Sequence, residues 1–201
     1  VRSDPPALPL AVTDPRRCAW PGNPLAGAYH DREWGVPVRD DRTLFEFLIL
    51  EGAQAGLSWD TILAKRENYR KALDGFNFEK IAAYDSKKKR QLLANPGIVR
   101  NRLKIDATVV NARAAIALRK QFGSFSRYLW KFVGGKPLQG RRKGGDVPAR
   151  TEVSDALSKD LKKRGFKFVG TTIMYAFMQA VGMVNDHQMS CFCWRKLNAK
   201  R

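Results

Sequence analysis

The stretch Ser86-Lys-Lys-Lys-Arg-Gln-Leu-Leu-Ala-Asn-Pro-Gly-Ile-Val-Arg-Asn-Arg102 decides how the rest of the chain is read. Ser86 can cap a helix with Lys87, Lys88, Lys89 and Arg90 outside and Leu92 and Leu93 inside. Asn95-Pro96-Gly97 then stops it, the strongest turn signal in the chain. Periodicity resumes at once and predicts a longer helix from Ile98 to about Phe122. Helix, apolar pair, Pro-Gly and helix form the outline of a helix–hairpin–helix element. Such a hairpin presents backbone N–H groups at the start of its second helix, where the dipole favours a phosphate. Arg100, Arg102 and Lys104 follow immediately. An ordinary helical corner with Gly97 at positive φ fits the same residues; the basic surroundings favour the hairpin.

Helical spacing extends to both sides. Upstream, Asp41 reads as an N-cap before Leu44, Phe45, Leu48 and Ile49, a stripe at i, i+3, i+4 spacing. A helix runs from Ser58 or Asp60 to Leu73, and a short one from Phe78 to Tyr84. Downstream, Thr151 or Ser154 caps a basic helix that Gly165 ends, and an apolar helix follows from Thr171 to about Val181. β-branched residues never assemble into repeated alternating strands, so the expected class is all-α. Val1 to Arg17, with four prolines, reads as a disordered tail. Residues 134–150, glycine-rich, basic and aperiodic, read as a mobile surface loop.

Thirty-seven Lys and Arg against nineteen Asp and Glu give a formal charge of +18 and a pI near 10.2. Such an excess favours a polyanionic partner, since each phosphate neutralised releases condensed counterions. Nucleic acid leads and an anionic membrane surface comes second. The basic helix near 154–164 carries only Ala156, Leu157 and Leu161 as apolar residues, too few to lie in a bilayer interface. No run of about eighteen apolar residues is present, so no membrane span is expected. The N-terminus also lacks the basic start and long apolar core of a secretory signal. An intracellular monomer is expected: cytoplasm or nucleoid in a bacterium, nucleus or organelle in a eukaryote.

Cys18, Cys191 and Cys193 are too few for a disulfide framework, and thiols available for metal are the better expectation. Each of the two histidines lies near a cysteine: Cys18 with His30, and His187 with Cys191. At i, i+4 on a helix, His187 and Cys191 would share a face. The four make a Cys2His2 set suited to tetrahedral zinc, closed and therefore structural. The gap of 157 residues between the histidines is far from a compact finger, so spacing leaves zinc and simple burial equally open. Cys193 would face elsewhere and reads as a bystander. Glu51 follows an apolar helix face and precedes small residues, while Trp20, Tyr29, Trp34 and Trp59 supply flat surfaces. An acid among aromatics suits an extruded, cationic purine. On composition alone, core aromatics and a solvated acid remain the preferred reading.

The motifs taken together change that balance. They are Cys18-Ala19-Trp20, Tyr29-His30-Asp31, Glu33-Trp34-Gly35-Val36-Pro37, and the run from Leu50 to Trp59. Lys65-Arg66-Glu67-Asn68-Tyr69-Arg70, Pro96 to Arg102, Ser154 to Thr172, Val184-Asn185-Asp186-His187 and Cys191 complete them. Over about residues 16 to 193 the chain closely resembles the 3-methyladenine DNA glycosylase I family, a zinc-bearing branch of the helix–hairpin–helix glycosylases. The resemblance implies zinc on Cys18, His30, His187 and Cys191, and Glu51 hydrogen-bonded to the methylated base. It implies Tyr29, Trp59 and Trp20 around that base, Leu57 wedged into the gap left in the duplex, and Pro96-Gly97 on the phosphate backbone. It also implies two lobes joined by the metal: 18–45 with 151–195, and 46–133, with double-stranded alkylated DNA across the cleft. Two positions depart from the pattern. Ala26 stands where the family has Tyr, and Val99 replaces the second hairpin glycine.

The chemistry implied is hydrolysis of the N-glycosidic bond. Methylation at N3 makes adenine cationic, so the base departs neutral and needs no strong acid. Flipping costs a few kcal/mol, less for a damaged base. Glu51 then acts as reader and stabiliser, and no lysine stands where a Schiff-base nucleophile is expected. The alternative is a non-catalytic damage sensor on the same scaffold. Retention of Glu51, Tyr29 and Trp59 argues against it, and Ala26 is its only foothold.

Overall fold

The computed structural model describes residues 16–140 and 147–199. Their helices are α1 (Pro24–Arg32), α2 (Asp41–Gln54), α3 (Trp59–Ala72), α4 (Phe78–Ala82), α5 (Ser86–Ala94), α6 (Arg102–Phe122) and α7 (Phe125–Trp130). After the loop come α8 (Glu152–Lys163), α9 (Thr171–Ala180) and α10 (Phe192–Asn198). The class is all-α, with one exception. β1 (Leu138–Gln139) pairs in parallel with β2 (Val184–Asn185), so the start of the expected loop is tied down. Residues 1–15 of the expected tail and 141–146 of that loop lie outside the described residues. Arg17, also assigned to the tail, is instead buried and donates from Nε to Asp31 Oδ1 at 2.8 Å. No helix among the described residues is long and apolar enough to cross a membrane.

Helix α2 is the centre of the molecule. Every residue from Leu44 to Ala53 is buried, because α3, α6, α7 and α9 all pack on it; a helix enclosed on all sides belongs in a core. Leu48, Ile62, Trp130, Leu157, Met174 and Phe177 share one apolar cluster, so the middle of the chain and its C-terminal helices have a common interior.

Several boundaries moved for identifiable reasons. Asp40, not Asp41, caps α2, accepting from Thr43 N at 2.8 Å. Asp41 reaches across to the amides of Phe125 and Ser126 at the start of α7, at 3.0 and 2.7 Å. Asp85 displaces Ser86 as the cap of α5. Residues 98–101 are not helical: Asn101 caps α6, which starts at Arg102. Thr151 and Ser154, weighed as alternatives, cap α8 together in a reciprocal capping box.

The ends of the chain are joined by backbone. Gly35 N donates to Gln179 O at 3.0 Å, Val38 N to Val181 O at 3.0 Å, and Phe192 N to Arg16 O at 2.9 Å. Gly182, at φ +69°, lies so close that a Cβ there would meet the Val36–Pro37 peptide at about 2.5 Å.

A buried ion network holds α2 to α3 and to the end of α1. Arg66 donates to Glu46 Oε1 at 2.6 Å and to Glu33 Oε2 at 2.7 Å, and Arg70 also reaches Glu46. Arg66 and Glu46 are each 7% exposed. Removing one partner from a buried pair leaves an uncompensated charge, at about 3–5 kcal/mol. Glu46→Ala is therefore expected to lower the urea midpoint by the equivalent of about 3 kcal/mol with an unchanged slope. A loss below about 1 kcal/mol would show that Glu33 alone satisfies Arg66.

Candidate functional site

Two adjacent features lie where α1, α2 and the C-terminal segment meet. The first is a cavity of about 410 Å³ whose lining includes Trp20, Tyr29, Glu51, Gln54 and Trp59. Successive residues of α1 point about 100° apart, so Tyr29 faces this cavity while His30 faces the second feature, a sulfur cluster. Tyr29 lies 5.5 Å from the Trp59 ring and 6.2 Å from Trp20, centroid to centroid. Trp59 opens α3 behind its Ser58 cap, which fixes its position.

Glu51 sits in the last part of α2 and is 4% exposed. Burial alone pushes its carboxyl up to about 8, because neither a cation nor a hydrogen bond offsets the lost hydration. Around it, Tyr29 OH and Trp59 Nε1 are buried donors without a hydrogen-bond partner. Buried polar groups are rarely left so. An acid and two free donors among aromatic faces are what a planar, polar, positively charged ring would satisfy.

Sequence reasoning missed part of the lining. Gln54, Asp186 and Gln179 also border the cavity, and Val147 stands at its edge. Asp186 accepts from Tyr175 OH at 2.5 Å and from Gln179 Nε2 at 2.9 Å. Asp186 belonged to a recognised motif, but only its neighbour His187 received a role. Ala26, which stands where the family has Tyr, is fully buried in α1 and does not line the cavity.

The second feature gathers Cys18, His30 and Cys191, all buried, with ligand atoms within 4.8 Å of one another. Cys191 Sγ is 3.7 Å from His30 Nε2. His187 makes a second such group with His30 and Cys193. His187 and Cys191 do not share a helical face as expected: α10 begins after Cys191, and a turn brings the two inward. Cys193, read as facing elsewhere, instead lies buried beside the cluster. Its Sγ approaches His30 O at 3.8 Å. Hydrogen bonds from the Cys18 and then the Cys193 thiol hold the Cys191 sulfur well below the usual thiol range.

Both imidazoles are oriented from behind. His30 Nδ1 lies 2.8 Å from Asp31 Oδ1, itself held by Arg17, and His187 Nδ1 lies 2.9 Å from Asn185 Oδ1. Such partners put the proton on Nδ1 and leave Nε2 as a lone pair, the second-shell arrangement of metal-binding histidines. His187 Nε2 is buried with no partner, and burial first of all pushes this ring down to about 4. A Cβ on Gly35 would come within 2.7 Å of the His187 ring, so only glycine admits it. Sulfur, neutral imidazole and an orphaned nitrogen fit a zinc ion.

None of the remaining expected residues lines this cavity. Leu57 is 42% exposed on the turn after α2, where Gly56 takes φ +78°. Arg100 and Arg102 are exposed beside the α5–α6 turn. The turn itself spends its amides internally. Gly97 N donates to Asn95 Oδ1 at 2.8 Å and Val99 N to Tyr69 OH at 3.1 Å, so Gly97 does not offer its N–H to a phosphate. Its φ is not positive; a Cβ there would press on the Asn68 and Asn95 side chains at about 3.0 Å, which would have to give way. Lys104, also expected at a phosphate, turns inward to the end of α2, donating to Ala53 O and Ala55 O at 2.7 and 2.6 Å.

Comparison with known proteins agrees with this geometry. A family model described as methyladenine glycosylase matches residues 19–194. DNA-3-methyladenine glycosylase 1 of Escherichia coli K12 is 49% identical over 180 residues, 89% of this chain and 96% of that protein. A crystal structure of a 3-methyladenine DNA glycosylase I superposes with a TM-score of 0.85 at 54% identity, over 88% of this chain and 98% of the other. The Staphylococcus aureus enzyme, solved to explain 3-methyladenine recognition, gives 0.85 at 37% identity over 88% and 95%. Fold, cavity and likeness converge, and the chain belongs to the methyladenine glycosylase family.

Proposed function

We propose that this protein is a monofunctional DNA glycosylase that hydrolyses the N-glycosidic bond of 3-methyladenine in alkylated double-stranded DNA, acting as a monomer. The observation that carries the reading is Glu51, an uncompensated carboxyl in an aromatic cavity with two unpartnered donors. A base methylated at N3 brings a positive charge, which favours the ionised carboxylate that burial disfavours. Tyr29, Trp59 and Trp20 add cation–π attraction, of order 1–2 kcal/mol when desolvated. Unmodified adenine gains neither. The departing base is neutral, so no strong acid is required. Among the described residues no lysine lines the cavity, which supports water rather than an amine as the nucleophile. Leu57 would fill the gap left in the duplex, with Arg100 and Arg102 on the phosphates.

Glu51→Gln keeps the shape and removes the charge. Charge-assisted hydrogen bonds contribute on the order of 1.5–3 kcal/mol, so release of 3-methyladenine from alkylated duplex is expected to slow tenfold to a hundredfold. Binding to undamaged duplex should hardly change. A wild type that releases no methylated base would remove the glycosylase reading; a variant as fast as wild type would remove only the role of Glu51.

The same substitution has a stability signature. Glu51 titrates near 8 when folded and near 4.5 when unfolded. Between these values the unfolded chain releases a proton that the folded chain keeps, so stability falls as pH rises through that window. Above it the loss is on the order of 5 kcal/mol, at about 1.4 kcal/mol per unit. Glu51→Gln should therefore match wild type at pH 4 and be more stable by a few kcal/mol at pH 9 in urea titrations. A constant difference across the range would contradict this.

For the second site we propose one structural zinc ion on Cys18, His30, His187 and Cys191. When bound it would neutralise the thiolate and fix the two ends of the chain; it has no part in the bond cleavage. Metal analysis of native protein is expected to give one zinc per chain. His187→Ala should strip it and lower the melting temperature, whereas Cys193→Ser should retain it. Native protein free of zinc would overturn the assignment.

A further inference from the structure

The inward turn of Lys104 has no place in either site, yet it connects the two surfaces assigned to DNA. The last carbonyls of a helix have no partner within it and carry the negative end of its dipole. Many helices close that end with a left-handed residue and backbone bonds that use up those carbonyls. Helix α2 closes only in part this way: its C-cap, Ala55, is extended at φ −47° and ψ 116°, and the left-handed Gly56 that follows, at φ +78°, belongs to a turn that leaves the carbonyls of Ala53 and Ala55 to another donor. In that turn Leu57 N donates to Gln54 O at 2.6 Å, and Lys104 Nζ donates to Ala53 O and Ala55 O. The carbonyls on either side of Gln54 thus both belong to one ammonium. That ammonium comes from the first turn of α6, whose start Asn101 fixes by accepting from Lys104 N at 3.1 Å.

Two parts of the surface are therefore rigidly linked. Arg100 and Arg102 lie immediately before Lys104 in sequence, and Leu57 lies two residues beyond Ala55. We propose that Lys104 is a positioning residue that fixes the Leu57 turn against the phosphate-facing end of α6, so that backbone grip and wedge act at a set separation. It acts on extrusion of the base from the duplex and not on the chemistry in the cavity. This rests on the glycosylase reading given above. Burial also lowers the ammonium's affinity for its proton, although its two carbonyl acceptors favour the charged form.

Lys104→Met removes the charge and keeps most of the apolar stem; Lys104→Arg can still reach both carbonyls. Single-turnover excision of 3-methyladenine would be measured on the same oligonucleotide as duplex and as single strand. With K104M the duplex rate is expected to fall about tenfold further than the single-strand rate, the loss of one charge-assisted contact, and K104R should restore most of it. In a Leu57→Ala background K104M should add less than twofold to the duplex defect, because both changes remove one device. The log–log salt slope for undamaged duplex should stay as in wild type, whereas a phosphate contact would reduce it by about 0.9. Should K104M melt below the assay temperature, Lys104→Gln carries the same comparison. A slope reduced by one contact, equal losses on both strands, or multiplying defects with Leu57→Ala would overturn the proposal. A wild type without excision would instead overturn the function on which it rests.

Discussion

Glu51 is placed where a carboxylate is least stable, in the helix that every neighbouring helix encloses. Near neutral pH burial keeps much of it protonated. A neutral purine entering the cavity gives the acid no reason to ionise. A cationic one does, and in a site shielded from water the resulting attraction is far stronger than it would be at the surface. On the proposed reading desolvation sets the selectivity: it makes the charged form costly alone and rewarding in company. The rest of the molecule must hold α2 still enough for this to work. Asp40 closes one end of the helix, Lys104 the other, and the Glu46–Arg66–Glu33 network pins its middle.

The cavity and the sulfur cluster share a wall. Trp20 lies 6.2 Å from Tyr29 and 5.5 Å from His30, while Trp34 packs 4.6 Å from His187. Gly35 and Gly182 let the two ends of the chain approach closely enough to build this wall, each where a Cβ would collide with backbone or ring. A loss of order in the cluster would loosen Trp20 and Cys18, both of which line the cavity. A structural ion can thus influence base binding without touching the base.

The sequence made the helical class and the cavity residues legible for different reasons. Periodicity showed the helices, since burial of one face imposes a 3.6-residue repeat. Glu51, Tyr29 and Trp59 became visible only through motif likeness, because nothing in composition separates a pocket aromatic from a core one. What stayed hidden was long-range. Asp41 looked like a local cap and instead serves the start of α7, more than eighty residues away. Lys104 looked like one more cation of a basic run, and its carbonyl partners lie about fifty residues upstream. The spacing of His187 and Cys191 matched a helix, yet the segment turns, and the same turn brings Cys193 to His30. Local pattern carries no information on which distant group a side chain will meet.

Charge is divided between the two tasks a repair enzyme faces. A net +18 attracts any duplex, damaged or not, through counterion release, and so supplies affinity without discrimination. Discrimination needs a term that undamaged DNA cannot collect, and it must not weaken the shared attraction. A carboxylate on the surface would repel phosphates and forfeit part of that affinity. Inside a cavity lined by Tyr29 and Trp59 it is shielded from the backbone and meets only what has left the stack. Extrusion then stands between the two terms, and the proposed role of Lys104 in setting Leu57 against α6 would act there. If Leu57 is the wedge, it must fill the gap while the phosphates are held, and a turn free to shift would let the base return before the proposed reader, Glu51, bound it.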